Sequence, residues 1–555
     1  MTPFERYKMW LKGGFLSPED REELEKIKDN KKEIEERFYG ELEFGTGGIR
    51  GIMGLGSMRM NVYNIGRVSQ AIAKYIKDKG FPKKVVISFD TRNNSYNFAK
   101  YAAQVFSAND IRTYLFRYPR PTPELSFAVS YLKCGMGVMV TASHNPPEYN
   151  GYKAYGPNGA QIISPTDKEI TEYMTEIDFK DIKRSDENII FIDREVDEPY
   201  IETVTGMWYI KDVERDIKIV YTPLHGVGAY MMEPAFQRIN YYNIYTEPHQ
   251  RAADPYFSTV KSPNPEDPEG GAFDMGMKLA DELSSNYVFA SDPDADRMGI
   301  VVRDKDKFKR LTGNQVGILL ADYLVRRGKE LGAIPEDPYI VKTIVSTYLI
   351  DKMGIREGFR VLNTYTGFKN ICNVVDAQEK KGDYGFIFAF EESIGYTLSP
   401  KVKDKDSIGT SLALASMLGY YKKIGTNLFE RLEEIYKKYG YFMEDQLSLV
   451  YEGVEGKRKI ELIMEGLRNS PPERLSGMSL TKKYDYMDKI KGLPPGNVIE
   501  FHYGETYRFF ARPSGTEPKI KFYLMVTGAK DKSEALSLLS STKEELKIYV
   551  EKFVK

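Results

Sequence analysis

Six short apolar runs, each rich in β-branched or aromatic residues and separated from the next by a helix-length segment, constrain the fold of this chain more than any other feature. They lie at 85–89 (VVISF), 137–140 (GVMV), 217–221 (IKIVY), 287–290 (YVFA), 339–342 (YIVK) and 385–390 (GFIFAF). Strands that are apolar throughout are buried on both faces, and their alternation with helices predicts parallel sheets covered by helices. At about 150 residues per domain, the 555 residues predict three to four domains. The first forty residues are charged, with Leu24, Ile27, Ile34 and Phe38 at near-helical spacing, which predicts an N-terminal helical arm. From Leu428 the chain is rich in Lys and Glu, predicting helix up to Pro471–Pro472. Short strands follow around 498–502 and 507–511, so the last domain differs in kind. The expected segments are 1–200, 201–310, 311–440 and 441–555.

Composition excludes several classes. Hydrophobic residues make up 41% and charged residues 29%, enough apolar material for several cores. With 79 Lys+Arg against 80 Asp+Glu, no bulk field favours nucleic acid or an anionic membrane, and neither partner is expected. Two cysteines, Cys134 and Cys372, supply neither a disulfide framework nor a four-thiolate zinc site and read as buried thiols of a reducing compartment. The N-terminus shows no apolar signal region and the chain has no apolar run long enough to span a bilayer, so a cytoplasmic protein is expected.

Three motifs carry chemistry. The segment 141–147 (TASHNPP) directly follows the apolar run GVMV; the carboxyl ends of parallel strands are where α/β folds open their sites, so Ser143 is presented on such a turn. The elbow G-x-S-x-G is absent, because Thr141 and Asn145 occupy its glycine positions, and Ser143 is not an obvious acyl-transfer nucleophile. In 291–297 (SDPDADR), three carboxylates at alternate positions repel one another unless a cation neutralises them, and hard oxygen ligands favour Mg²⁺ or Ca²⁺ over zinc. An EF-hand is ruled out: counting from Asp292, position six is Arg297 and position twelve is Arg303. An open Mg²⁺ site accounts for this cluster better than a solvated acidic turn. The third motif, 512–519 (RPSGTEPK), combines arginine, hydroxyls, lysine and a glycine-containing turn, a plausible phosphate cradle. It is not a Walker loop. The early 45–51 (GTGGIRG) also lacks nucleotide-loop spacing; it reads either as an ordinary glycine turn or as flexible backbone that brings Arg50 to an anion.

A serine, a triple-aspartate loop and a separate phosphate cradle point to phosphoryl transfer on a substrate that carries its own phosphate. The chain resembles the α-D-phosphohexomutase superfamily, and within it the phosphoglucomutase/phosphopentomutase branch. The resemblance runs in order through FGTGGIRG (44–51), SFDTR (88–92), TASHNPPEYNGYKAYG (141–156), TPLHGVG (222–228), SDPDADR (291–297), TYTGFK (364–369), FEESIGY (390–396), DKD (404–406) and RPSGTEPK (512–519). It implies four domains around a central cleft: three related α/β units and a smaller α+β C-terminal phosphate-binding domain. It also implies an isomerase that moves phosphate between C1 and C6 of glucose through a phosphoserine enzyme and a glucose 1,6-bisphosphate intermediate. Ser143 matches the phosphoserine, and Asp292, Asp294 and Asp296 the aspartates that hold Mg²⁺ with a phosphoserine oxygen. Arg50, His144, Lys153 and Arg297 match the surroundings of the transferring group, with Lys153 and Arg50 the better candidates for proton handling and charge stabilisation. Glu391 and Ser393 match sugar-hydroxyl readers, and Lys405 the substrate-facing lysine of the DKD loop. Thr366, Gly367 and Lys369 join the substrate-binding set, with Arg512, Ser514, Gly515, Thr516 and Lys519 as the grip on the non-reacting phosphate. A phosphosugar is the expected partner, and a monomer or weak homo-oligomer the expected state.

This chain departs from the common pattern at three places. Phe368 stands where phosphomannomutase-type members carry histidine, Ser407 follows DKD where many members have glycine, and Ser88–Phe89 precede DTR where Arg and Gly are common. The first favours phosphoglucomutase over phosphomannomutase. The same branch includes enzymes acting on ribose or deoxyribose 1-phosphate and enzymes making glucose 1,6-bisphosphate, and these stay open at the level of sequence. A phosphosugar phosphatase and a phosphosugar-binding protein without turnover are the alternatives of other classes. His225, His249 and His502 have no metal-ligand spacing to one another, and His225 is expected to shape a loop.

Overall fold

The computed structural model describes residues 1–554 other than 43, 46, 211–213, 452 and 515–518, and omits the side chains of 453 and 454. The chain forms two compact units. The first comprises Met1–Leu311, Val375–Ala377 and Ser393–Tyr420; the second comprises Thr312–Val374, Gln378–Glu392 and Tyr421–Lys555.

The first unit holds two sheets. Its first contains β1 (Gly48–Ile52), β2 (Lys84–Phe89), β3 (Arg112–Phe116), β4 (Met136–Val140), β5 (Tyr149–Tyr155) and β6 (Ile189–Ile192), ordered β1-β5-β4-β2-β3-β6. β2 pairs in parallel with both β3 and β4, and β5 turns back antiparallel on β4. The second contains β7 (Ile219–Thr222), β8 (Ile244–Thr246), β9 (Tyr287–Ser291), β10 (Met298–Asp304) and β11 (Lys307–Arg310), ordered β11-β10-β9-β7-β8. Here β7 takes the place that β2 has in the first sheet: it pairs in parallel with β8 and β9, and β10 turns back on β9.

In the second unit, β12 (Tyr339–Thr343) pairs in parallel with β13 (Arg360–Thr364) on one side and β14 (Phe386–Glu391) on the other. The pattern of a strand (β2, β7, β12) flanked in parallel by the next two strands of the chain, the third of the trio lying beside it, thus occurs three times. In each case the residues that follow the third strand carry a predicted site: Ser143 after β4, the aspartates after β9, and Ser393 just past β14, whose last residue is Glu391. A strand of the first unit, β15 (Gly395–Thr397), comes next. The C-terminal sheet is wholly antiparallel: β16 (Tyr441–Val450), β17 (Arg474–Leu475), β18 (Met478–Asp485), β19 (Ile499–Tyr503), β20 (Tyr507–Pro513) and β21 (Lys519–Ala529), ordered β16-β21-β20-β19-β18-β17.

The six apolar runs of the sequence are β4, β2, β7, β9, β12 and β14 to within a residue or two, and their central residues are fully buried. The N-terminal arm is three helices, Pro3–Lys12, Pro18–Lys26 and Lys31–Phe38, capped by the side chains of Thr2, Ser17 and Asn30. Leu24, Ile34 and Phe38 are buried as the spacing predicts, and Trp10 and Tyr7 complete a cluster with Leu55 and Tyr63 that fixes the arm to the first α/β unit.

Two expectations are corrected. The stretch after Leu428 is not continuous helix: helices Leu428–Tyr439 and Gly453–Asn469 flank the ten-residue strand β16. In that strand Tyr441, Phe442 and Leu447 are buried and the other residues half-buried or exposed, and it pairs with β21 along its whole length, so tertiary pairing decides its state. The GTGGIRG segment is no simple turn, because Gly48–Ile52 is an edge strand on β5. A Cβ at Gly48 would lie 2.2 Å from the Tyr152 carbonyl oxygen, so this glycine is required for close strand approach.

Candidate active site

Ser143 sits three residues beyond β4 with φ +52°, a left-handed conformation that costs a non-glycine residue about 1–2 kcal/mol. It is 4% exposed. Its N–H donates to Thr141 Oγ1 at 2.8 Å, and its hydroxyl donates to Asp292 Oδ2 at 2.7 Å and lies 3.1 Å from His144 Nδ1.

Asp292, Asp294 and Asp296 are buried and each brings one carboxylate oxygen within 4.8 Å of the others. The backbone N–H groups of Asp296 and Arg297 donate to Asp292 Oδ1. Thr122 Oγ1 and Lys153 Nζ both donate to Asp294 Oδ2 at 2.8 Å. Lys405 Nζ lies 3.0 Å from Asp296 Oδ2, and Lys153 Nζ 3.5 Å from the same oxygen. Asp294 Oδ1 and Asp296 Oδ1 are buried without a hydrogen-bond partner among the described residues. Buried carboxylate oxygens left in this way are costly, and a hard divalent cation would satisfy them. The donor set therefore fits a metal ion held by the three aspartates.

Electrostatics follow from this crowding. Burial, then Asp296 and Asp294, push Asp292 well above the usual carboxylate range. Burial works against the charge of Asp294 too, but Lys153 outweighs it and holds that carboxyl below the usual range. For Lys153 burial is likewise outweighed, here by Asp294 and Asp296, and its ammonium stays charged. Burial and the positive charges of Arg297 and Arg50 press His144 well below the ordinary imidazole range, so it is neutral at pH 7.

The first unit thus gathers Ser143, His144, Lys153, the three aspartates and Lys405. Arg50 joins the serine loop through Asn145, to whose Oδ1 its Nη1 donates at 3.0 Å. Arg297 is joined to Glu266, with Nη1 2.7 Å from Oε2. Ser393, at the edge of this unit, precedes the strand β15 whose Gly395 bridges to Arg297.

The second unit holds the remaining substrate-binding candidates. Thr366, Gly367 and Lys369 lie at the start of helix Phe368–Lys380, with Gly367 at φ +99°. Glu391 ends β14 and is buried. Arg512 lies on β20, and the Ser514 N–H donates to the Lys519 carbonyl at 2.8 Å where β20 and β21 converge. Gly515 and Thr516 lie outside the described residues.

Several residues at the site were not singled out from sequence. Thr122, the middle residue of a Pro-Thr-Pro sequence and the first of helix Thr122–Tyr131, grips Asp294 through both hydroxyl and backbone N–H. Glu266 anchors Arg297. Tyr155 and Tyr200 donate to Asp404 and Asp406 and fix the DKD loop. Ser407 donates to the carbonyl of Ala295, inside the aspartate loop, at 2.6 Å. His225 shapes its loop as expected, bridging Ala252 O and Thr259 Oγ1; its neighbour Gly226 leaves no room for a Cβ against Pro293.

Fold and site together define a class: a repeated α/β protein that presents a serine hydroxyl to a cation-ready aspartate cluster ringed by lysines and arginines, the equipment of phosphoryl transfer. Residues 41–181, 198–305 and 312–439 match the alpha/beta/alpha domains I, II and III of phosphoglucomutase/phosphomannomutase. A phosphoglucomutase of Staphylococcus haemolyticus (strain JCSC1435) is 36% identical over 510 residues, 88% of this chain and 91% of that protein. One from Staphylococcus aureus (strain MSSA476) is 34% identical over 521 residues, 89% of this chain and 92% of that protein. Among solved structures, the open form of parafusin, a phosphoglucomutase from Paramecium, shares the fold at TM-score 0.68 and 17% identity, covering 93% of this chain and 96% of that one. A phosphoglucomutase/phosphomannomutase family protein from Burkholderia thailandensis aligns at TM-score 0.66 and 18% identity, covering 91% and 97%. The chain belongs to the phosphoglucomutase/phosphomannomutase family and is an enzyme of the mutase kind. No helix among the described residues is long and apolar enough to cross a membrane.

Proposed function

We propose that this enzyme interconverts α-D-glucose 1-phosphate and glucose 6-phosphate by passing a phosphoryl group through Ser143, with Mg²⁺ as its metal and glucose 1,6-bisphosphate as the intermediate and activator. The observation that carries the reading is the approach of the Ser143 hydroxyl to Asp292 at 2.7 Å, beside two buried aspartate oxygens with no hydrogen-bond partner among the described residues. Names at 34–36% identity over nearly nine-tenths of the chain support the substrate.

In this reading Asp292, Asp294 and Asp296 hold Mg²⁺, which neutralises charge on the phosphoryl oxygens when bound. Phospho-Ser143 gives its phosphoryl group to the free hydroxyl of a sugar monophosphate, and the resulting bisphosphate returns its other phosphate to Ser143. The free hydroxyl oxygen forms the new P–O bond as the bond to Ser143 Oγ breaks, and the hydroxyl proton leaves to a nearby base; the return step reverses these roles. Such a transfer depends on in-line positioning and charge neutralisation. Lys153, kept charged by two aspartates, and Arg50, beside the serine loop, stabilise the moving charge. Neutral His144 stays within hydrogen-bond reach of Ser143 Oγ, and Arg297 is aimed by Glu266. Glu391 and Ser393 read sugar hydroxyls, with Thr366, Gly367, Lys369 and Lys405 assisting. Arg512, Ser514, Gly515, Thr516 and Lys519 grip the non-reacting phosphate, which two opposed binding orientations require. Segments 1–200, 201–310, 311–440 and 441–555 act as its four domains, supported by one sheet apiece. A cytoplasmic monomer or weak homo-oligomer completes the reading; the compartment is supported by Cys134 and Cys372, both buried and neither in a disulfide.

The test is the site of phosphorylation. After incubation with glucose 1,6-bisphosphate and Mg²⁺, intact-mass and peptide analysis should find one phosphate, on Ser143; a phosphate-free protein that still turns over glucose 1-phosphate would refute the mechanism.

A further inference from the structure

We propose that Arg92 is the positioning residue of the reaction: one buried guanidinium holds the whole 143–149 loop and, with it, the strained backbone of Ser143. The inference rests on the reading of Ser143 as the phosphoryl carrier.

Arg92 follows β2 in the segment SFDTR, two residues past Asp90, and its side chain is fully buried. Nη2 donates to the carbonyl oxygens of Ser143 and Asn145. Nη1 donates to the carbonyls of Pro146 at 2.8 Å and Tyr149 at 3.2 Å. Nε lies 3.3 Å from Asp90 Oδ2, and the guanidinium carbon sits 4.9 Å from the centre of the Phe257 ring. Asp90 is itself fixed, accepting from the Arg92 N–H and from Ser95 Oγ. The planar fork of five donors is thus divided, four bonds to the loop and one edge to its counterion.

Seven residues of chain therefore wrap around one rigid cation, and the first of them is Ser143 at φ +52°. A left-handed serine persists only where its surroundings over-determine it. The Thr141 hydroxyl accepts the Ser143 N–H from one side, and Arg92 binds its carbonyl from the other. These two contacts set the direction in which Oγ leaves the backbone and hence its 2.7 Å approach to Asp292. Arg92 makes no hydrogen bond to the aspartate cluster; its charge acts on Asp294 and Asp292 at longer range, and a variant that keeps the charge but loses the fork isolates the part of its effect that runs through Ser143. Lysine cannot replace it: an ammonium has three donors and no planar fork to span four carbonyls.

The experiment compares wild type with Arg92→Lys, which keeps a charge beside Asp90, as full-length protein with Mg²⁺ and glucose 1,6-bisphosphate. Misplacing a reacting atom by about 1 Å costs roughly 100-fold in rate, so kcat should fall about 100-fold while KM for glucose 1-phosphate stays within about threefold. Equal losses in kcat and KM, or a kcat near wild type, would overturn the proposal. A second measurement, on wild type alone, keeps the test decisive if the variant does not fold: by hydrogen exchange the Asn145 and Tyr149 amides, which close turns onto Ala142 and Pro146, should be as protected as those of β4, and fast exchange there would refute the clamp. A wild-type enzyme that never acquires phosphate on Ser143 would instead overturn the functional reading and leave the loop geometry intact, so the two failures are distinct.

Discussion

The ammonium of Lys153 lies 2.8 Å from Oδ2 of Asp294, and the two side chains are 12% and 0% exposed. With Lys405 3.0 Å from Asp296, two lysines thus lie against a cluster of three carboxylates, and the cluster still has two oxygens without a hydrogen-bond partner among the described residues. Lys153→Met removes the partner of a buried charge, a change that costs about 3–5 kcal/mol when nothing replaces it. Mg²⁺ held by the aspartates would replace part of that charge. The variant should therefore melt well below wild type in EDTA, with the gap narrowing in millimolar Mg²⁺, as scanning calorimetry of both proteins under both conditions would show. Its turnover should fall by about 10²-fold or more with Mg²⁺ saturating. A gap that magnesium does not narrow would place the metal elsewhere.

Ser143→Ala removes a hydroxyl and little packing. Turnover should drop by at least about 10³-fold, since no phosphoryl carrier remains, while the melting temperature stays within a few degrees of wild type. Activity and melting measured on the same preparation check both halves.

Ser407 gives the aspartate loop a bond that a glycine at this position would lack, from its hydroxyl to the Ala295 carbonyl. Ser407→Ala should cost about 1 kcal/mol of stability and raise the Mg²⁺ concentration for half-maximal activity several-fold, with kcat at saturating Mg²⁺ nearly unchanged. Titrating activity with Mg²⁺ separates these outcomes.

In the second unit, Glu500 is buried and accepts from Tyr486, His502, Lys491 and Tyr348. Burial works against its charge, but these partners, His502 and Lys491 first, lower its pKa from 4.5 to about 2. A carboxyl depressed on folding stabilises above its unfolded pKa and loses that contribution as pH falls toward its folded pKa. The size is about 3 kcal/mol, complete above pH 5 and lost progressively below it. Glu500→Gln should therefore be less stable than wild type at pH 7, with the difference more than halved by pH 3. Urea unfolding of both proteins across that range gives the comparison.

The parallel strands were legible because burial on both faces makes them apolar throughout, and the aspartate loop because three close carboxylates have few stable explanations. β16 was not, since its residues (YFMEDQLSLV) interrupt an apolar start with the polar EDQ and lie between two helices, and only pairing with β21 settles their state. The sequence also hides Arg92, whose partners are carbonyl oxygens that every residue possesses. Thr122 and Glu266 reach the site from positions distant in the chain, a juxtaposition that no local pattern encodes. Lys405 was expected from its motif, but its 3.0 Å approach to Asp296 depends on the two buried tyrosines, Tyr155 and Tyr200, that hold the DKD loop.

Transfer between the two ends of a glucose phosphate through Ser143 can be followed in one experiment. Phosphorus NMR of the enzyme with Mg²⁺, a trace of glucose 1,6-bisphosphate, and glucose 1-phosphate and ribose 1-phosphate in competition measures it directly. The account predicts rapid appearance of glucose 6-phosphate with no net release of inorganic phosphate. Preferential formation of ribose 5-phosphate, or accumulation of inorganic phosphate in place of either product, would contradict it.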